Sequence, residues 1–148
     1  MSRLLLPLVL LVTLLGATAW AVVPLGVRLE PGPRALAGGK AGPFLVVFYT
    51  RSCLEPAEWE RYWADLKGTK LPLLAVNPPE AGRAPLAPPA GVPLLSGEAA
   101  LRLARSLKLR AYPTTLVVDG EDRVRDALEG PGITERVKFV IGFVMGGP

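Results

Sequence analysis

The chain has 148 residues, room for one domain with a real core, and a net charge of +4 carried in mixed-sign runs such as 58–61 and 123–126. It has no basic block and no aromatic-plus-basic stripe, so no nucleic-acid partner is expected. One cysteine and no histidine exclude a Ser-His-Asp or Cys-His triad and a tetrahedral zinc site within a single chain, and no metal or cofactor is expected. Asn77 is the only asparagine and glutamine is absent, a depletion that fits either a high-temperature lifestyle or a GC-rich genome.

The chain opens with an apolar stretch. Residues 4–27 carry no charge and are preceded only by Arg3 and the amino terminus. At 1.5 Å per residue that length crosses a bilayer core of about 30 Å. The small residues at 17–19 and 19–21 also resemble signal-peptidase sites, so residues 1–27 read as either a cleaved signal peptide or a membrane anchor. Arg28, Arg34 and Lys40 follow the segment, a positive-inside bias toward the cytoplasm. The short tail and signal-like pattern argue for the opposite side, and an extracytoplasmic, periplasmic-side domain is the expectation.

Residues 28–43 are rich in Gly, Pro and Ala and read as a linker with one weak helical turn; 44–148 form the domain. The run FLVVFY at 44–49 has the continuous apolarity of a central strand buried on both faces. Pro56 suits the first turn of a helix, whose face carries Trp59, Tyr62, Trp63 and Leu66 and which Gly68 ends. A strand is expected at 71–76, then a proline-rich loop over 78–92 and a short edge strand at 92–95. Ala100, Leu103, Ala104 and Leu107 make the apolar stripe of a second helix. Residues 114–118 and 124–128 read as a hairpin turned by Asp119 and Gly120. A last helix carries Ile133, Val137, Val140, Ile141 and Val144 on one face. Strands alternating with helices, closed by a hairpin, give an α/β fold with a mixed sheet.

Two stretches add a resemblance. FLVVFYTRSC at 44–53 resembles the strand-to-cysteine segment of thioredoxin-like proteins. RAYPTTLVVDG at 110–120 resembles their cis-proline loop and the strand after it, in the form carried by membrane-linked TlpA and ResA-type thiol-disulfide proteins. The resemblance implies a thioredoxin-like mixed β-sheet flanked by helices. It implies Cys53 as nucleophile at the N-terminus of the helix after the central strand, with Tyr112 and Pro113 lining the substrate groove. Exposed N–H groups and the helix dipole there would stabilise a thiolate, aided by Arg51 and opposed by Glu55.

The sequence also departs from that family. The family's Cys-x-x-Cys reads Cys53-Leu54-Glu55-Pro56, and Ser52 replaces its tryptophan. Without a second thiol, Cys53 could attack a disulfide but not release the mixed disulfide by itself. The expectation is a tethered or exported monothiol exchange protein acting on extracytoplasmic protein thiols or disulfides, with an external resolving thiol. The alternative is a redox-inactive binding or accessory module. A thiol peroxidase, suggested by Thr50-x-x-Cys53 with Arg110 as charge partner, fits less well because that motif wants a proline where Val46 stands.

Overall fold

The structure is a computed structural model that describes residues 23–132 and 134–145. The expected leader over 1–22 and Ile133 lie outside the described residues, as do the side chains of Ile141 and Val144. Among the described residues no helix is long and apolar enough to cross a membrane.

In chain order the elements are α1 (Pro31–Leu36), β1 (Phe44–Phe48), α2 (Pro56–Gly68), β2 (Leu73–Asn77) and β3 (Leu94–Ser96). They continue with α3 (Gly97–Ser106), β4 (Thr114–Val118), β5 (Val124–Glu129) and α4 (Thr134–Met145). The five strands form one sheet in the order β3-β2-β1-β4-β5. β1 pairs in parallel with β2, which pairs in parallel with β3, while β4 runs antiparallel to both β1 and β5. β1 is therefore central, and all five of its residues are buried, as a strand covered on both faces requires.

Alternation along β1 divides the core. Phe44, Val46 and Phe48 join Leu74, Val76, Leu116 and the α3 residues Ala100 and Ala104 on one face. Leu45, Val47 and Tyr49 join Tyr62, Trp63 and Leu66 of α2 and Val137 of α4 on the other. Period-two side-chain alternation sends successive residues to opposite layers, so one apolar run serves both.

Local sequence explains the element ends. Pro56 occupies the first turn of α2, and Glu55 and Glu58 cap it reciprocally. Gly68 is its last helical residue, as the breaker signal suggested. The left-handed position falls instead on Lys70 (φ 59°), after Thr69 Oγ1 donates to the Leu66 carbonyl at 2.7 Å. Two strands are displaced from their expected bounds. β2 begins after Pro72, which cannot supply a ladder N–H, and β3 begins after Pro93.

The segment 28–43 is more than a connection. Its helical turn is α1, Leu29 and Pro33 are buried, and Leu29 belongs to the core beside Phe44. Arg34 fastens it. The guanidinium Nε donates to Asp122 Oδ1 at 2.6 Å, Nη1 to the Lys40 and Gly42 carbonyls, and Nη2 to the Asp119 carbonyl. It also lies 4.7 Å from the Phe44 ring centroid, a cation–π contact.

Candidate functional site

The last residue pair of β1 and β4 is Phe48 with Thr114. Beyond it, the chain leaves β1 toward Cys53 and arrives at β4 from Tyr112 and Pro113. All three candidate residues therefore sit at one end of the sheet. The Tyr112–Pro113 peptide is cis, and the buried Pro113 accepts a hydrogen bond at its carbonyl from Gly130 N–H at 2.9 Å. The layers divide them. Cys53 packs with the α2-side core, whereas Tyr112 packs with the α3-side core.

Cys53 does not stand at the helix terminus as expected. It lies in a bend, with Leu54 and the N-cap Glu55 between it and Pro56. The α2 terminus is occupied by carboxylates from its own chain. Glu58 accepts from the Glu55 N–H at 3.3 Å, and Glu55 accepts from the Glu58 N–H. Arg51, expected to help a thiolate, is engaged elsewhere. Its guanidinium donates to the Ala84 and Pro85 carbonyls at 3.0 and 3.3 Å, and its N–H donates to Glu80 Oε2 at 3.1 Å. Burial pushes the half-buried thiol above its ordinary value; Thr50 hydrogen bonding pulls the other way, and the Glu80 charge adds to the rise.

Residues the sequence did not single out for the site build its wall. Asn77, 3% exposed, donates through Nδ2 to the Tyr49 carbonyl at 2.8 Å and accepts at Oδ1 from Leu86 N–H at 2.9 Å. The Tyr49 hydroxyl donates to the Leu86 carbonyl. The proline-rich loop is thus tied to the end of β1, and Leu86 joins Cys53 and Leu54 against the same core layer. Tyr49, Trp59 and Trp63 meet edge-to-face at centroid distances of 5.0 to 5.7 Å. Trp59, Tyr62 and Trp63 are packing residues, with Tyr62 Oη and Thr115 Oγ1 sharing a buried hydrogen bond of 2.6 Å.

No group of three or more histidine, cysteine or carboxylate side chains that could hold a metal occurs among the described residues. What the arrangement can do chemically rests on one sulfur. A thiol held mostly protonated at neutral pH attacks slowly, because the thiolate is the nucleophile.

A five-stranded mixed sheet with a central parallel pair, an antiparallel hairpin, and a cis-proline loop beside the exit of the central strand defines a thioredoxin-like fold. Solved structures agree. The exposed lipoprotein thioredoxin of Streptococcus pneumoniae superposes with a TM-score of 0.57 at 16% identity, over 73% of this chain and 89% of that one. A hypothetical protein of Sinorhizobium meliloti gives 0.58 at 19%, over 84% and 86%. StoA of Bacillus subtilis gives 0.50 at 14%, over 68% and 83%. No family model matches the sequence, and no curated protein does so either.

Proposed function

We propose that this chain is an extracytoplasmic, membrane-tethered thioredoxin-fold protein that engages protein partners at the end of the sheet carrying Cys53, Tyr112 and Pro113. There it meets their disulfides as a slow monothiol. The observation that carries the reading is the lone, half-buried Cys53 beyond the exit of the central strand, at the same end of the sheet as the Tyr112–Pro113 loop. The likeness to an exposed lipoprotein thioredoxin and the apolar leader support the extracytoplasmic side.

In the exchange step the Cys53 thiolate attacks one sulfur of a partner disulfide. A mixed disulfide forms, and the partner's other sulfur leaves as a thiolate. Pro56 stands where a resolving thiol would be, so a first external thiolate attacks the Cys53 sulfur of the mixed disulfide and releases the partner as a dithiol, and a second attacks the external sulfur of that adduct and releases the Cys53 thiolate. The external thiols are oxidised and the partner disulfide is reduced.

A second reading has its own observation. The raised thiol, the diverted Arg51 and the capped α2 terminus all favour a binding or accessory module that needs no chemistry at Cys53. Partner capture from intact cells separates the two. If Cys53→Ser abolishes reductant-sensitive adducts and the accompanying phenotype, exchange stands. Capture and phenotype that survive the substitution, while Tyr112→Ala loses them, leave binding alone.

A further inference from the structure

Among the described residues the large hydrophobic side chains that stand exposed are Leu25, Val27, Leu36, Phe139 and Phe143. They fall in two groups, one on each face of the sheet. Leu25 and Val27 flank Gly26, whose N–H donates to the Val124 carbonyl at 2.7 Å, while Val124 N–H donates to the Val27 carbonyl. Phe139 and Phe143, one helical turn apart on α4, line a shallow concavity of about 420 Å³ with Asp119 and Arg125. Leu36 lies on α1, which Arg34 ties to Asp119 and Asp122 of the same hairpin. Phe139 and Phe143 thus lie beside the β4–β5 turn on the α4 side of the sheet, while Val27 and Leu36 line a separate groove with Leu103 and Leu107 on the α3 side. Cys53 lies at the far end of the strands, about 15 Å away along a five-residue β4.

The leader joins the domain at this same end. The charge-free run 4–27 ends in Leu25 and Val27 themselves. We infer that the β4–β5 turn end of the domain, led by Phe139 and Phe143, rests in the headgroup region of a phospholipid bilayer and holds Cys53 pointing away from it. The inference rests on the anchoring proposed above. Val23 is buried in the domain core, so an anchor leaves the bilayer before it, and residues 23–27 running along β5 place this end within a short distance of the lipid. Phe139 and Phe143, 77% and 82% exposed, have the amphipathic surroundings of interfacial aromatics.

Three of the cations around them are paired, Arg125 with Asp119 at 2.6 Å, Lys138 with Glu135 at 3.4 Å and Arg123 with Glu121 at 3.6 Å, while Arg136 and Arg28 make no ion pair among the described residues. The contact is therefore mainly apolar, with Arg136 and Arg28 adding a minor attraction to anionic headgroups that salt would screen. Tethering supplies the effective concentration that so small a patch lacks on its own.

The test uses the full chain in phosphatidylcholine vesicles containing lipid with a nitroxide near the headgroup. In a Cys53→Ser background, Gly142→Cys carries an environment-sensitive fluorophore; Gly142 is exposed and has open space where a Cβ would stand. The same fluorophore on Cys53 of the unaltered chain is the comparison. Quenching of roughly two-fold or more at position 142, little at Cys53, and at most a small decrease in high salt are expected. Phe139→Ser with Phe143→Ser should abolish the quenching while the chain still floats with the vesicles, and Phe139→Trp with Phe143→Trp should keep it. Vesicle-bound chain that is unquenched at position 142, or quenched equally with the serines, overturns the docking and leaves the anchor intact. So does burial of the probe in a dimer of the full chain. Chain that fails to float overturns both.

Discussion

Asn77→Ala links the stability of this domain to the chemistry of its one thiol. The substitution removes two hydrogen bonds of 2.8 and 2.9 Å, leaving the Tyr49 carbonyl and the Leu86 N–H without their partner at a site 3% exposed. Each net bond contributes about 1 kcal/mol and each orphaned group costs about as much or more, so a loss of about 3 kcal/mol is expected. For the roughly 120 described residues the unfolding entropy is about 0.25 kcal/mol/K, which converts that loss to a fall of about 12 °C in Tm. The loop over 78–92 is then held to β1 only by Tyr49 and Arg51, and Leu86 loosens from beside Cys53. Calorimetry gives the first quantity, and the rate of Cys53 alkylation at fixed pH gives the second, which should rise several-fold. Asn77→Asp keeps the acceptor for Leu86 but sets a buried carboxylate against the Tyr49 carbonyl, so at neutral pH it should destabilise at least as much as the alanine. A Tm change below about 4 °C, or an unchanged alkylation rate in Asn77→Ala, would refute the assignment of Asn77 as the pin.

Alkylation of Cys53 across a pH series should give a midpoint above the ordinary thiol value of about 8.5, and Glu80→Gln should lower it. Because the unfolded thiol ionises first, native stability should decline as pH rises past that value; Cys53→Ser should remove this slope, as denaturant titrations would read. At the other end of the scale, burial pushes the Asp119 carboxyl up. The Arg123 and Glu121 N–H groups and the Arg125 guanidinium outweigh that and hold it low. Its contribution is present above about pH 3.9 and lost as pH falls through the depressed native value, so Asp119→Asn should flatten acid unfolding in that range. Arg34→Lys should cost about 2 kcal/mol in denaturant unfolding, because an ammonium cannot span Asp122 and three carbonyls as the planar fork does.

The fold was legible wherever one residue type repeats at one spacing. The 44–48 run, the Tyr62, Trp63 and Leu66 face of α2, and the Asp119-Gly120 turn each carry their structure locally. The site was legible only in outline. Cys53, Tyr112 and Pro113 share an end of the sheet, but the thiol's environment comes from Glu80, Leu86 and Asn77, which lie 24 to 33 positions along the chain from it. No spacing rule connects them. The same limit hid Arg34, whose partners lie up to 88 residues away and turn a Gly- and Pro-rich stretch into part of the domain. The helix-terminus placement of Cys53 failed for a local reason. Pro56 fixes where α2 can begin, and Glu55 and Glu58 fill the terminus first.

The backbone between Gly26 and Arg28 has a consequence for solubility. By bonding to Val124, and bridging Arg28 to Arg123, it covers the start of the outermost strand, β5. An open strand edge is a template for pairing with another chain. A chain trimmed to begin at Pro31 would expose that edge while keeping every element of the sheet, and it should self-associate in a concentration-dependent way on sedimentation. The short stretch that ends the apolar leader thus also shields the sheet from its own kind.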